Sequence, residues 1–131
     1  RTPFDRNETL WGSFMVTSNK RNIYFAGDTG YCEVFKQFYD IFGEVDIALL
    51  PIGAYEPREF MKNMHTNPEE AVQMAEDLRA KRSFGMHWGT FPLTSEPFLE
   101  PKEKLLEELK KKGLPLTNYF DTMYHGETIT L

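Results

Sequence analysis

A single cysteine, Cys32, in a chain of 131 residues leaves no partner for a disulfide within it, so nothing here points to an oxidising compartment. Positive charge is also scarce: 15 Lys and Arg stand against 20 Asp and Glu, a net charge of −5. The one basic run, Lys110-Lys111-Lys112, follows Glu107-Glu108 at the end of an expected helix, where cations complement the helix dipole. No nucleic-acid partner is expected from such a balance. No apolar stretch is long enough to cross a bilayer, no signal-peptide pattern appears, and no amphipathic basic helix marks a membrane-binding face. An intracellular setting, soluble or at a membrane surface, is expected rather than a secreted one. Repeats, low-complexity segments and linkers are absent, so one domain is expected. The chain starts at Arg1 without a methionine, which suggests a piece of something longer.

Aromatic residues, by contrast, are plentiful at 15%, with 11 Phe and 6 Tyr to fill a core or line a greasy pocket. Leu10 to Thr17 alternates loosely and reads as a strand, and the polar turn Ser18–Asn22 leads into a second strand, Ile23–Ala26, to make a hairpin. Glu33 to Phe42 reads as a helix, its apolar positions Val34, Phe35, Phe38, Ile41 and Phe42 following helical spacing and Gly43 serving as the stop. Val45 to Ile52 is apolar enough for a strand covered on both faces. Asn67-Pro68-Glu69-Glu70 opens a helix that runs to about Ala80 and buries Ala71, Val72, Ala75 and Leu78. Ser83 to His87 is a short strand. Pro101 starts a last helix with Leu105, Leu106 and Leu109 inside and Gly113 at its end, and Thr128 to Leu131 is a final small strand. The alternation of strands and helices is an α/β layer pattern.

Chemistry concentrates where strands run into glycine turns. Asp28 sits in Tyr24-Phe25-Ala26-Gly27-Asp28-Thr29-Gly30, at the mouth of a strand, where a rigid scaffold presents functional groups. Its carboxylate can serve a divalent ion such as zinc, or it can simply form the turn. His87, in Phe84-Gly85-Met86-His87-Trp88-Gly89-Thr90, ends another strand and is either a second metal ligand or a core histidine. His65 precedes the capped helix and either fixes its start or points into a cleft between neighbouring loops. His125 lies in a turn and reads as structural or exposed, and Glu56 with Arg58 reads as a surface pair. Cys32 stands beside Glu33, which does not lower a thiol pKa, so no nucleophilic role is expected.

Together these stretches resemble the C-terminal half of the metallo-β-lactamase superfamily, in the branch of N-acylphosphatidylethanolamine-hydrolysing phospholipase D. The matching blocks are Phe4-Asp5-Arg6-Asn7, Leu10-Trp11-Gly12-Ser13, Phe25–Cys32, Pro51–Arg58, His65-x-x-Pro68-Glu69-Glu70-Ala71, His87-Trp88-Gly89-Thr90-Phe91 and Leu99-Glu100-Pro101. They occur in the family's order over essentially the whole chain. The resemblance implies an αββα sandwich with two divalent metal ions, zinc by preference, between the loops of its sheets. It implies that Asp28 bridges both metals, that His87 is the last histidine ligand, and that His65 lies near the substrate phosphate to bind it or handle a proton. Tyr55, like Tyr31 and Trp88, would border a lipid's route or pack in the core. The implied reaction is hydrolysis of a phosphodiester by a metal-bound hydroxide, releasing phosphatidic acid and an N-acylethanolamine.

The same resemblance implies an H-x-H-x-D-H motif and one further histidine upstream, and this sequence contains neither. The expected partner is therefore an N-terminal metal-binding half of the same domain, without which the 131 residues would be inactive. Phospholipid or another phosphodiester is the expected substrate, with peripheral membrane contact and a homodimer left open. Two alternatives stand beside this: another small-molecule hydrolase of the superfamily, and a non-catalytic half-domain that packs on a partner segment and would otherwise leave a sheet face and edge exposed.

Overall fold

A computed structural model describes residues 12–130. One five-stranded sheet has the order β1-β2-β3-β4-β5, with β1 at Phe14–Thr17, β2 at Asn22–Phe25, β3 at Ile47–Pro51, β4 at Arg82–Met86 and β5 at Phe120–Asp121. β1 and β2 form the expected antiparallel hairpin, with Phe14 opposite Phe25. From β2 onward every pairing is parallel, so β2, β3 and β4 all end on the same edge of the sheet. That shared edge is where loops after parallel strands gather functional groups.

Period-two alternation divides the sheet into two faces. Tyr24, Ala48 and Leu50 point to one face and are buried with Ala71, Val72, Met74, Ala75, Leu105 and Leu109 of the helices α3 (Pro68–Asp77) and α4 (Glu100–Lys111). On the other face Phe14, Val16 and Phe25 stand 66%, 59% and 40% exposed. Among the described residues nothing fully covers these three side chains. Ile47 and Phe84 lie on the same side but are buried.

α3 begins as its sequence predicts. Glu70 N–H donates to Asn67 Oδ1 at 2.9 Å, the Asn67 N–H donates back to Glu70 Oε2 at 3.4 Å, and Pro68 occupies the first turn. It ends at Asp77 rather than near Ala80, with Leu78 and Ala80 still buried in the turn that follows.

Other elements depart from expectation. The helix expected over 33–42 is a 3-10 turn, Glu33–Gln37, followed by one short α-helix, α1 (Phe38–Phe42). Its rings decide this: Phe35 and Phe38 both pack edge-on against Tyr24, while Val34 and Ile41 face outward at 42% and 65% exposure. Leu106 of α4 is likewise 39% exposed beside a groove, not interior. A single turn, α2 (Arg58–Met61), precedes the His65 loop. The last strand is β5; residues 128–130 form none, and Leu131 lies outside the described residues, as do Leu10 and Trp11 of the first expected strand.

Two buried tyrosines and one half-buried one give the fold an alkaline limit. Tyr24, Tyr55 and Tyr119 all have raised phenol pKa values, burial being the main cause in each. A group whose folded pKa is raised contributes stability below its unfolded value of about 10, and that contribution fades as pH climbs further. Titration above about pH 10 is therefore expected to unfold the protein, with tyrosinate absorbance appearing together with loss of circular dichroism. Free titration of all the tyrosines near their ordinary value with the fold intact would contradict this.

Candidate metal centre

Three loops at the shared strand edge bring Asp28, His65 and His87 together. β2 hands over to Asp28 through Gly27, whose φ of +64° turns the chain out of the sheet after Ala26 N–H has bonded Leu49 O at 3.1 Å. β4 ends at Met86, so His87 lies one residue past the strand rather than within it, at a φ of +60°. A non-glycine residue in that region is uncommon and needs its surroundings to hold it there.

His65 is held by its backbone. Its N–H donates to Met61 O at 2.8 Å, and Arg58 Nη1 donates to its carbonyl at 2.7 Å. The other arm of the Arg58 guanidinium pairs with Glu70, so Arg58 ties His65 to the start of α3. The neighbour Thr66, fully buried, joins its own loop to the Asp28 loop and to the end of β3: its N–H bonds Thr29 O at 2.8 Å and its hydroxyl bonds Pro51 O at 2.7 Å. Gly30 closes the same junction, since a Cβ there would lie 2.6 Å from Lys62 O.

The result is a cluster in which one ligand atom from each of Asp28, His65 and His87 lies within 4.8 Å of the others. His87 Nε2 is 3.6 Å from Asp28 Oδ1. Two ligands each about 2.1 Å from one tetrahedral ion are roughly 3.4 Å apart, so this pair is spaced to share a cation. The two imidazoles stack with centroids 4.9 Å apart at 18°. Nδ1 of each is buried and has no hydrogen-bond partner among the described residues. Burial, then the neighbouring His87, lower the pKa of His65 against the opposing pull of Asp28, which favours the neutral imidazole. A carboxylate and two imidazoles are a donor set suited to zinc.

The remaining candidates lie elsewhere. Tyr55, for which a substrate-binding place and core packing were both open, is 1% exposed and its hydroxyl donates to Glu100 Oε1 at 2.7 Å, so it sits in the packing and not at the cluster. Arg58 and Glu56 do not form the expected ion pair: Glu56 accepts the Arg58 backbone N–H at 3.1 Å while the guanidinium turns to Glu70. His125 is exposed, with Nε2 3.0 Å from Thr90 Oγ1. Thr66 and Glu96 were not singled out from sequence; neither carries a motif, and only the loops folded around them reveal what they join.

Beside His87 runs an apolar groove of about 690 Å³, whose lining includes Trp88, Phe98, Leu99 and Leu106, with Lys102 and His125 among its polar residues.

Comparison with known proteins agrees with this picture. The model of the family described as "Beta-lactamase superfamily domain" matches residues 1–88. The chain is 50% identical over 125 residues to N-acyl-phosphatidylethanolamine-hydrolyzing phospholipase D 1 of Caenorhabditis elegans, covering 94% of this chain and 35% of that protein. It is 46% identical over 108 residues to the mitochondrial N-acyl-phosphatidylethanolamine-hydrolyzing phospholipase D of Saccharomyces cerevisiae, covering 80% of this chain and 23% of that one. Among solved structures it superimposes on Igni18, a metallo hydrolase of the archaeon Ignicoccus hospitalis, with a TM-score of 0.61 and 26% identity, covering 88% of this chain and 43% of Igni18. The chain thus spans 35% or less of the length of these curated relatives. Fold, strand-end cluster and sequence relationship agree: the chain belongs to the metallo-β-lactamase superfamily.

Proposed function

We propose that these residues supply part of the metal centre of a phosphodiester hydrolase, and that its substrate is an N-acylphosphatidylethanolamine cleaved in phospholipase D fashion. The observation that carries the reading is the convergence of Asp28, His65 and His87, from three separate loops, within 4.8 Å. The identity to two phospholipases D of that specificity supports the substrate. The apolar groove beside His87 supports it too, since an acyl chain needs such a surface next to the reacting headgroup.

In this reading Asp28 and His87 are ligands to zinc, and the ligands that complete the centre come from sequence outside these 131 residues. Bound zinc supplies Lewis acidity and brings the pKa of a bound water to about 7. Asp28, at the exposed mouth of its turn, would supply a carboxylate oxygen to the metal and offset part of its charge. His87 is aimed by the backbone turn that follows β4. His65, stacked on His87, would stand beside a phosphodiester held at the centre, to bind it or to handle a proton of the attacking water or of the leaving alcohol. Arg58 and Thr66 hold that imidazole in place through its backbone and its neighbour's.

The test is hydrolysis by the full-length protein carrying this chain, purified with zinc and assayed on vesicles containing N-acylphosphatidylethanolamine. Release of N-acylethanolamine and phosphatidic acid is expected. Turnover of a small phosphodiester or a lactone with the lipid left intact would overturn the lipid specificity.

A further inference from the structure

The loop Gly53–Glu56 belongs to a motif that the proposed chemistry does not use, and it lies directly behind His87. Gly53 packs so tightly on the next strand's loop that a Cβ there would overlap the His87 carbonyl oxygen and sit 3.1 Å from Trp88 Cβ. Its neighbour Ala54 is buried at a φ of +62°, so two non-glycine residues in the left-handed region, Ala54 and His87, flank this contact. Strained residues of that kind persist only where something over-determines them. For Ala54 that something is one side chain. Glu96 Oε1 accepts the Ala54 N–H at 2.6 Å, Oε2 accepts the Glu56 N–H at 3.2 Å, and the Thr94 hydroxyl also donates to Oε2.

We infer that Glu96 is a positioning residue for His87: its carboxylate locks the 53–56 loop, and that loop sets the backbone from which the His87 imidazole reaches the metal. A carboxylate suits this role because it accepts two backbone N–H groups at once, with stronger charge-assisted bonds than a neutral acceptor makes. Partners standing behind a metal ligand orient it and tune the affinity of the site. The inference rests on the reading of Asp28 and His87 as zinc ligands.

The experiment compares wild type, Glu96→Gln, Glu96→Ala and Leu109→Val in the full-length protein. Leu109 is fully buried in the core at the far end of α4, so its variant serves as a stability control. Zinc affinity is measured by chelator competition, with kcat and KM for the diester and thermal stability recorded alongside. Glu96→Gln is expected to weaken zinc binding about 10-fold and to lower kcat comparably, within the range found for such outer partners, with KM little changed. Glu96→Ala should fall further, and Leu109→Val should lose thermal stability with zinc affinity intact. Wild-type zinc affinity in Glu96→Gln, or an equal drop in Leu109→Val, would overturn the inference. Failure of wild type to hydrolyse the diester would instead count against the substrate reading, and the zinc arm would still decide the role of Glu96.

Discussion

Replacing Asp28 by asparagine in the full-length protein is expected to lower kcat for the diester by more than about 100-fold, beyond the loss typical of an outer partner. The side chain keeps its shape and its capacity to form the turn, since asparagine serves there as well as aspartate. What it loses is the negative charge with which the carboxylate would hold a cation in the proposed site. Asp28 is also 58% exposed and no described hydrogen bond engages its side chain, so the fold has little stake in it. Thermal stability without metal should therefore stay close to wild type while turnover collapses. A parallel fall in both would recast Asp28 as a structural turn residue.

Gly53→Ala should act in the opposite way, through the backbone. The added methyl overlaps the His87 carbonyl oxygen and crowds Trp88, and neither is a flexible side-chain end that can swing aside. The two loops must separate, at a cost of about 1–3 kcal/mol typical of overpacking. Because the atom displaced belongs to His87, the imidazole moves with it. Loss of thermal stability accompanied by at least a 10-fold drop in kcat is expected, on the rule that small misplacements of a reacting group cost heavily. A stable, fully active Gly53→Ala protein would show that the loop and His87 are not mechanically joined.

Local signals made much of the architecture legible. The asparagine cap with its proline and paired acids marked the start of α3, and the apolar run at 45–52 marked a buried central strand. Asp28 and His87 stood out because each ends a strand beside a glycine. What brings them together was not local: they meet because β2, β3 and β4 lie side by side and parallel, a tertiary outcome that no window of sequence contains. The same holds for the errors. The 33–42 segment has helical spacing, yet the packing of Phe35 and Phe38 on Tyr24 tightens its first half into a 3-10 turn. For Tyr55 the sequence left a lipid's route and core packing both open, and it is Glu100, far along the chain, that takes its hydroxyl in the packing. Glu96 was silent for a related reason: a lone acid in Thr-Ser-Glu-Pro acquires meaning only from the two amides folded over it.

Zinc binding is the most direct test of the central claim that Asp28 and His87 are metal ligands. Full-length wild type, Asp28→Asn and His87→Ala would be stripped of metal, titrated with zinc alone and followed by competition with a chromophoric chelator. The account predicts high-affinity uptake by wild type and a loss of more than about 100-fold in affinity for at least one equivalent in each variant, exceeding the effect of outer partners. Equal zinc affinity and stoichiometry in all three proteins would contradict it.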